Sequence, residues 1–236
     1  MTRPKLISAI FCVMVLVGLA SPIGSAHAAL TWLVLNSAGT VASELKAELA
    51  GKKDSDHLTL LTELVGLKVA VTCSGVSFKN LNLETSGKLT EGGKAIFTEC
   101  EAYKETALGE NLGCVVKSTG AASGTVETNE LKGDLALHED EVLAKIEPKG
   151  ENFTTLRLEE CALTEVNPVR GTLYIKDGLE QATIHALEHL VEVGPLTALY
   201  LGAHSTMKLE LTKLDGSIWM KLSGAHNGRE WSSMDA

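Results

Sequence analysis

Leu67–Cys73 reads LKVAVTC, with Leu67, Val69, Val71 and Cys73 alternating against Lys68, Ala70 and Thr72. Successive side chains on a strand point to opposite faces, so this period of two predicts a half-buried β-strand. The same alternation recurs outward from it. Leu81 and Leu83 interleave with Asn80, Asn82 and Glu84, and Gly92-Gly93 precedes KAIFTEC at Lys94–Cys100. Leu131, Gly133, Leu135 and Leu137 share a face, followed by Val142, Ala144 and Ile146. Thr154–Cys161 and Val169–Ile175 behave likewise. Near the C-terminus, Met207, Leu209 and Leu211 precede Asp215-Gly216, then Ile218, Met220 and Leu222. Asp-Gly between two alternating runs predicts a hairpin. About ten such segments, each with one polar face, predict a mainly β fold: an antiparallel sandwich or an irregular barrel.

Two segments predict short peripheral helices, which leaves α+β as the alternative class. Val41–Ala50 (VASELKAELA) spaces Val41, Leu45 and Leu49 by four, with Gly51 as a stop. Leu179–Val193 carries the apolar stripe Ile184, Leu187, Leu190 and Val191. Asp177 and Glu180 form a capping box before it, and Gly194-Pro195 ends it.

Met1–Ala28 reads as a cleaved signal peptide. Arg3 and Lys5 precede the apolar run Leu6–Ala20, and Ala26-His27-Ala28 has the small-x-small form of a cleavage site. The run is short of the roughly 20 residues that a membrane-spanning helix needs. No second run of spanning length follows, so no membrane span is expected after signal removal. The mature chain is expected to be a single β-rich domain from Ala29 to Ala236, secreted, periplasmic or held at the cell surface.

The 236 residues carry 21 Lys+Arg against 30 Asp+Glu, a net charge of −9. Losing Arg3 and Lys5 with the leader takes −9 to −11. An acidic balance argues against nucleic acid, where clustered Lys and Arg are rewarded by counterion release. Aromatic residues, at 4%, are too few for an extended stacking platform. No cofactor motif is present: no P-loop, no G-x-G-x-x-G and no G-x-S-x-G.

Cys12 leaves with the leader, and Cys73, Cys100, Cys114 and Cys161 remain. An even count in an oxidising compartment predicts two disulfides rather than a zinc site, because no C-x₂-C pair occurs. Of three connectivities, loop length favours Cys100–Cys114 across Gly109 and Gly113, leaving Cys73–Cys161 to tie distant strands.

His185-Ala186-Leu187-Glu188-His189 has the H-x-x-E-H form of inverted zinc peptidases. On a helix, His185 and His189 would lie one turn apart as metal ligands, with Glu188 as base. A third ligand would have to come from Glu192, Glu210 or Glu230. Ser43-Glu44-Leu45-Lys46 matches S-x-x-K but lacks the companion S-D-N and K-T-G elements. Glu99 and Glu159-Glu160, beside Cys100 and Cys161, are read as solvated strand ends rather than as paired carboxylates, because sequence alone does not bring them to the distances a glycosidase requires. Asn152-Phe153-Thr154 is a glycosylation sequon. Trp219 and Trp231 are the aromatic candidates for glycan contact. Phe97-Thr98-Glu99-Cys100 echoes Leu158-Glu159-Glu160-Cys161, a weak internal repeat.

With these residues laid out, the chain resembles a group of uncharacterised exported bacterial proteins found in soil actinobacteria and their neighbours. The resemblance rests on Trp32-Leu33-Val34, Leu58–Leu67, Thr98–Cys100, Glu159–Cys161, Gly171–Asp177, Gly194–Leu199, Leu214–Ser217 and Leu222–His226. It implies a secreted, disulfide-bearing β protein and carries over no activity. The expected function is a non-catalytic structural or interaction module whose partner is another surface protein or a glycan. The alternative is a secreted metal-dependent hydrolase using His185, Glu188 and His189.

Overall fold

A computed structural model describes residues 30–35, 38, 46–51, 58–64, 66–107, 109–138, 141–163, 165–176, 183–189, 199–202, 209–211, 213–215 and 217–235. The expected leader Met1–Ala28, Ser43 of the S-x-x-K match, and the helix-end signals Asp177, Glu180 and Gly194-Pro195 lie outside the described residues.

The strands run in chain order as β1 (Leu30–Val34), β2 (Lys46–Gly51), β3 (Leu58–Leu64), β4 (Leu67–Lys79), β5 (Asn82–Glu84) and β6 (Lys88–Lys104). Next come β7 (Val115–Ser118), β8 (Val126–Glu127), β9 (Leu131–His138), β10 (Glu141–Pro148), β11 (Thr154–Glu159), β12 (Glu165–Gly171) and β13 (Leu173–Lys176). The last are β14 (Ile184–His189), β15 (Leu199–Gly202), β16 (Leu209–Leu211), β17 (Lys213–Asp215), β18 (Ser217–Leu222) and β19 (Trp231–Asp235). The fold is mainly β and antiparallel, as the period-two segments predict.

Eight strands pair in a closed circuit: β6–β5–β2–β18–β14–β13–β10–β9 and back to β6. Closure leaves these strands without free edges and makes an irregular barrel. The 17-residue β6 belongs to two layers. Its first half lies in the ring, and from Lys94 onward it pairs with β4, which continues through β3 to β17. A separate sheet, β16–β15–β12–β11–β7, faces the same core. β1 and β19 pair with each other and bring Trp32 and Trp231 into that core.

Both expected helices are strands where they are described. In β2, Ala47 and Leu49 are buried while Glu48 is exposed, a period of two. β5 pairs with one edge of β2 and β18 with the other. Gly51 is explained by a close approach instead of a helix stop: a Cβ there would meet the Val76 carbonyl oxygen at 2.1 Å. In the second segment, Ile184–His189 is β14, held between β18 and β13. Hydrogen-bonding partners on both edges outweigh a local propensity worth only tenths of a kcal/mol per residue. The only helical turn among the described residues is a 3₁₀ turn at Gly224–His226.

The Asp-Gly hairpin is also corrected. β17 pairs with β3 and β18 with β14 and β2, and no described pairing joins β17 to β18. The chain changes neighbours at Asp215-Gly216, because each strand finds a longer partner elsewhere.

The disulfides are Cys73–Cys100 and Cys114–Cys161, not the pairing that loop length favours. Cys73 and Cys100 are register partners on β4 and β6, with Cα atoms 4.0 Å apart. Cys114 precedes β7 and Cys161 follows β11, and these strands pair with each other; the Cα separation is 4.9 Å. Cross-strand register brings the sulfurs together, and loop length carries no register information. The internal echo has a backbone counterpart. Glu99 and Glu160, each just before a bonded cysteine, are both left-handed, with φ of 54° and 60°.

Candidate functional site

The inward faces of the strands leave a cavity of about 150 Å³. Among the described residues, seven of the eight ring strands contribute to its wall: Leu49, Leu83, Leu89, Leu131, Ala144 and Ile146, Ile175, and Met220. It extends under the second layer, where Val71, Phe97, Leu156 and Val169 line it. Thr128 and Thr154 also line it, but their hydroxyls are used by the backbone: Ala95 N–H donates to Thr128 Oγ1, and Thr154 Oγ1 donates to the Glu127 carbonyl. No charged side chain is among the described lining residues. Left empty, an apolar void of this size costs about 3–4 kcal/mol at the usual price per unit volume.

A second, polar cleft of about 580 Å³ lies over the disulfides, lined by Thr72, Ser74, Glu99, Glu101, Tyr103 and Ser123 with Cys100 and Cys114. Ser74 donates a short hydrogen bond to Glu99, and Tyr103 donates one to Glu101. The Asn111 amide also reaches Glu101, at 3.4 Å. The bond to Glu101 pushes the Tyr103 phenol above its ordinary value, assisted by burial and by the carboxylate charge. The cleft sits where the two layers join: Cys100 N–H donates to the Gly124 carbonyl and Gly124 N–H to that of Val116.

The carboxylates Glu99, Glu159 and Glu160 beside the bonded cysteines do not gather in this cleft. Glu99 is joined there by Glu101, whereas Glu159 is held in ion pairs with Lys117 at 2.8 Å and Arg157 at 2.7 Å. The hydrogen bond from Lys117, then that from Arg157, lowers the Glu159 carboxyl below the ordinary carboxylate value. Sequence reading missed Glu101 and Tyr103. Their signal was weak, because alternation in β6 marks a face without saying what lies opposite.

His185 and His189 lie on β14 with Glu188 between them. Four residues along a strand span about 13 Å, against about 6 Å on a helix surface, so the spacing that suited two ligands of one ion is lost. No group of three or more His, Cys, Asp or Glu that could hold a metal occurs among the described residues.

Trp231 is 1% exposed and packs on Trp32, so it is no surface platform for a glycan; it seals the core. Trp219 lies on β18. In the sequon, the Asn152 carbonyl accepts from the Asn129 amide and its Oδ1 from Arg170.

Comparison with protein-family models, with curated proteins and with solved structures finds no match to this chain. The functional reading therefore rests on the cavity, the cleft and the disulfides.

Proposed function

We propose that the protein is an exported, non-catalytic module of the cell surface or extracellular space, one that acts by binding. The observation that carries this reading is the pair of disulfides, one bracing β4 against β6 and the other clamping β7 to the end of β11. Such structural bonds persist in oxidising compartments. The Met1–Ala28 leader supplies the route, with cleavage after Ala28 and a chain beginning at Ala29. Among the described residues, no helix is long and apolar enough to cross a membrane. The likeness to exported proteins of soil actinobacteria supports the same reading.

The test is expression of the full chain in a secreting bacterial host. Export, an N-terminus at Ala29 and no free thiol are the expected results. Cytoplasmic material beginning at Met1 with five reactive thiols, Cys12 included, would overturn the export reading. A hydrolytic activity abolished by a chelator would overturn the non-catalytic one.

A further inference from the structure

We infer that the barrel interior is a binding site for one small, uncharged apolar molecule of about the size of a single aromatic ring. The inference rests on the reading of the chain as a binding module and names its ligand class. Three observations carry it.

The first is size and chemistry together. A void of about 150 Å³ whose wall is apolar offers a water molecule none of the two to four polar partners it needs. Cavities of this size and lining stay dry and accept benzene-sized guests.

The second is the distribution of aromatic residues. The chain has only four Phe and three Trp. Phe78, Phe97 and Phe153, which are all the Phe beyond the leader, line this one cavity, and so do Trp32 and Trp231. Ring faces and edges favour an apolar, especially aromatic, guest.

The third is that the wall cannot simply close in. Each ring strand is hydrogen-bonded to a neighbour on both sides, and Cys73, itself in the wall, is bonded to Cys100. An eight-stranded barrel has room either for its own side chains or for one small ligand. Here Ala95 and Ala144 occupy wall positions where larger side chains would fill the space.

The test is titration of the purified, disulfide-intact protein with benzene, following tryptophan emission and Tm, with pyrimidine as a polar molecule of the same size. The expected result is a saturable change in emission and a Tm that rises with benzene concentration, and neither with pyrimidine. Ala144→Leu, which fills the cavity, should weaken benzene binding at least tenfold; Ala95→Leu serves the same purpose should the first variant fail to fold. Three results would overturn the inference: no saturable response to benzene in folded protein, an equal response to pyrimidine, or undiminished benzene binding in a folded cavity-filling variant. None of these touches export, which is read separately from the N-terminus and the thiols.

Discussion

Trp32 and Trp231 stand with ring centroids 5.8 Å apart and planes inclined at 51°, joining the first and last described strands over one core. Tilted aromatic pairs at this distance add about 0.5–1.5 kcal/mol beyond their buried area. The pair brings the two ends of the described chain, far apart in sequence, onto the core that the barrel strands also line.

Trp231→Ala should therefore cost about 3–5 kcal/mol, the usual loss for emptying a large buried aromatic site. Denaturant unfolding measures it. A loss below about 1 kcal/mol, typical of surface positions, would show that the ring is not packed as described.

Non-reducing peptide mapping should recover Cys73 linked to Cys100 and Cys114 linked to Cys161. The bonds span 27 and 47 residues. The chain-entropy model gives each about 3.5–4 kcal/mol of stabilisation, so reduction should lower Tm steeply. Recovery of a Cys100–Cys114 peptide would contradict the register of β4 on β6.

Gly51→Ala should destabilise the fold by about 1–3 kcal/mol, because the new methyl group would overlap the Val76 carbonyl and a backbone must yield. An unchanged denaturation midpoint would mean that β2 does not approach β4 so closely.

Acid should weaken the protein gradually. The Lys94 hydrogen bond holds Glu127 below the ordinary carboxylate value of 4.5. Glu147 is also held below it: burial opposes the charge, but the hydrogen bond and charge of Lys145, with Lys132 and Thr172, prevail. A lowered carboxyl contributes stability that is present above pH 4.5 and lost as pH falls through its folded value. Lys145 is raised, since Glu147 outweighs its burial, so its contribution is present below pH 10.5 and lost as pH rises beyond that. The pairs are partly exposed, which makes both slopes shallow. Glu147→Gln should flatten the acid limb in unfolding curves taken at descending pH, and an unaltered limb would discount the pair.

Much of the fold was legible in side-chain alternation. Thr154–Glu159 buries alternate positions along its strand, a local property that a period of two expresses directly, whereas Val69–Cys73 and Val142–Ala144 are buried on both faces because a second layer covers them. The candidate cavity was not legible. Its wall gathers single residues from most of the strands, and only the closed ring brings them to face one another.

The order of amino acids alone established a mainly β chain with five cysteines and a net charge of −9, because hydrophobic period and composition are properties of the sequence itself. Tertiary structure decided everything that depends on which strand lies beside which. It turned Lys46–Gly51 and Ile184–His189 into strands, since partners on both edges outweigh local helix preference. It separated β17 from β18 at Asp215-Gly216. It paired Cys73 with Cys100 and Cys114 with Cys161, because a disulfide joins residues that register brings within about 4–7 Å, whatever the length of chain between them.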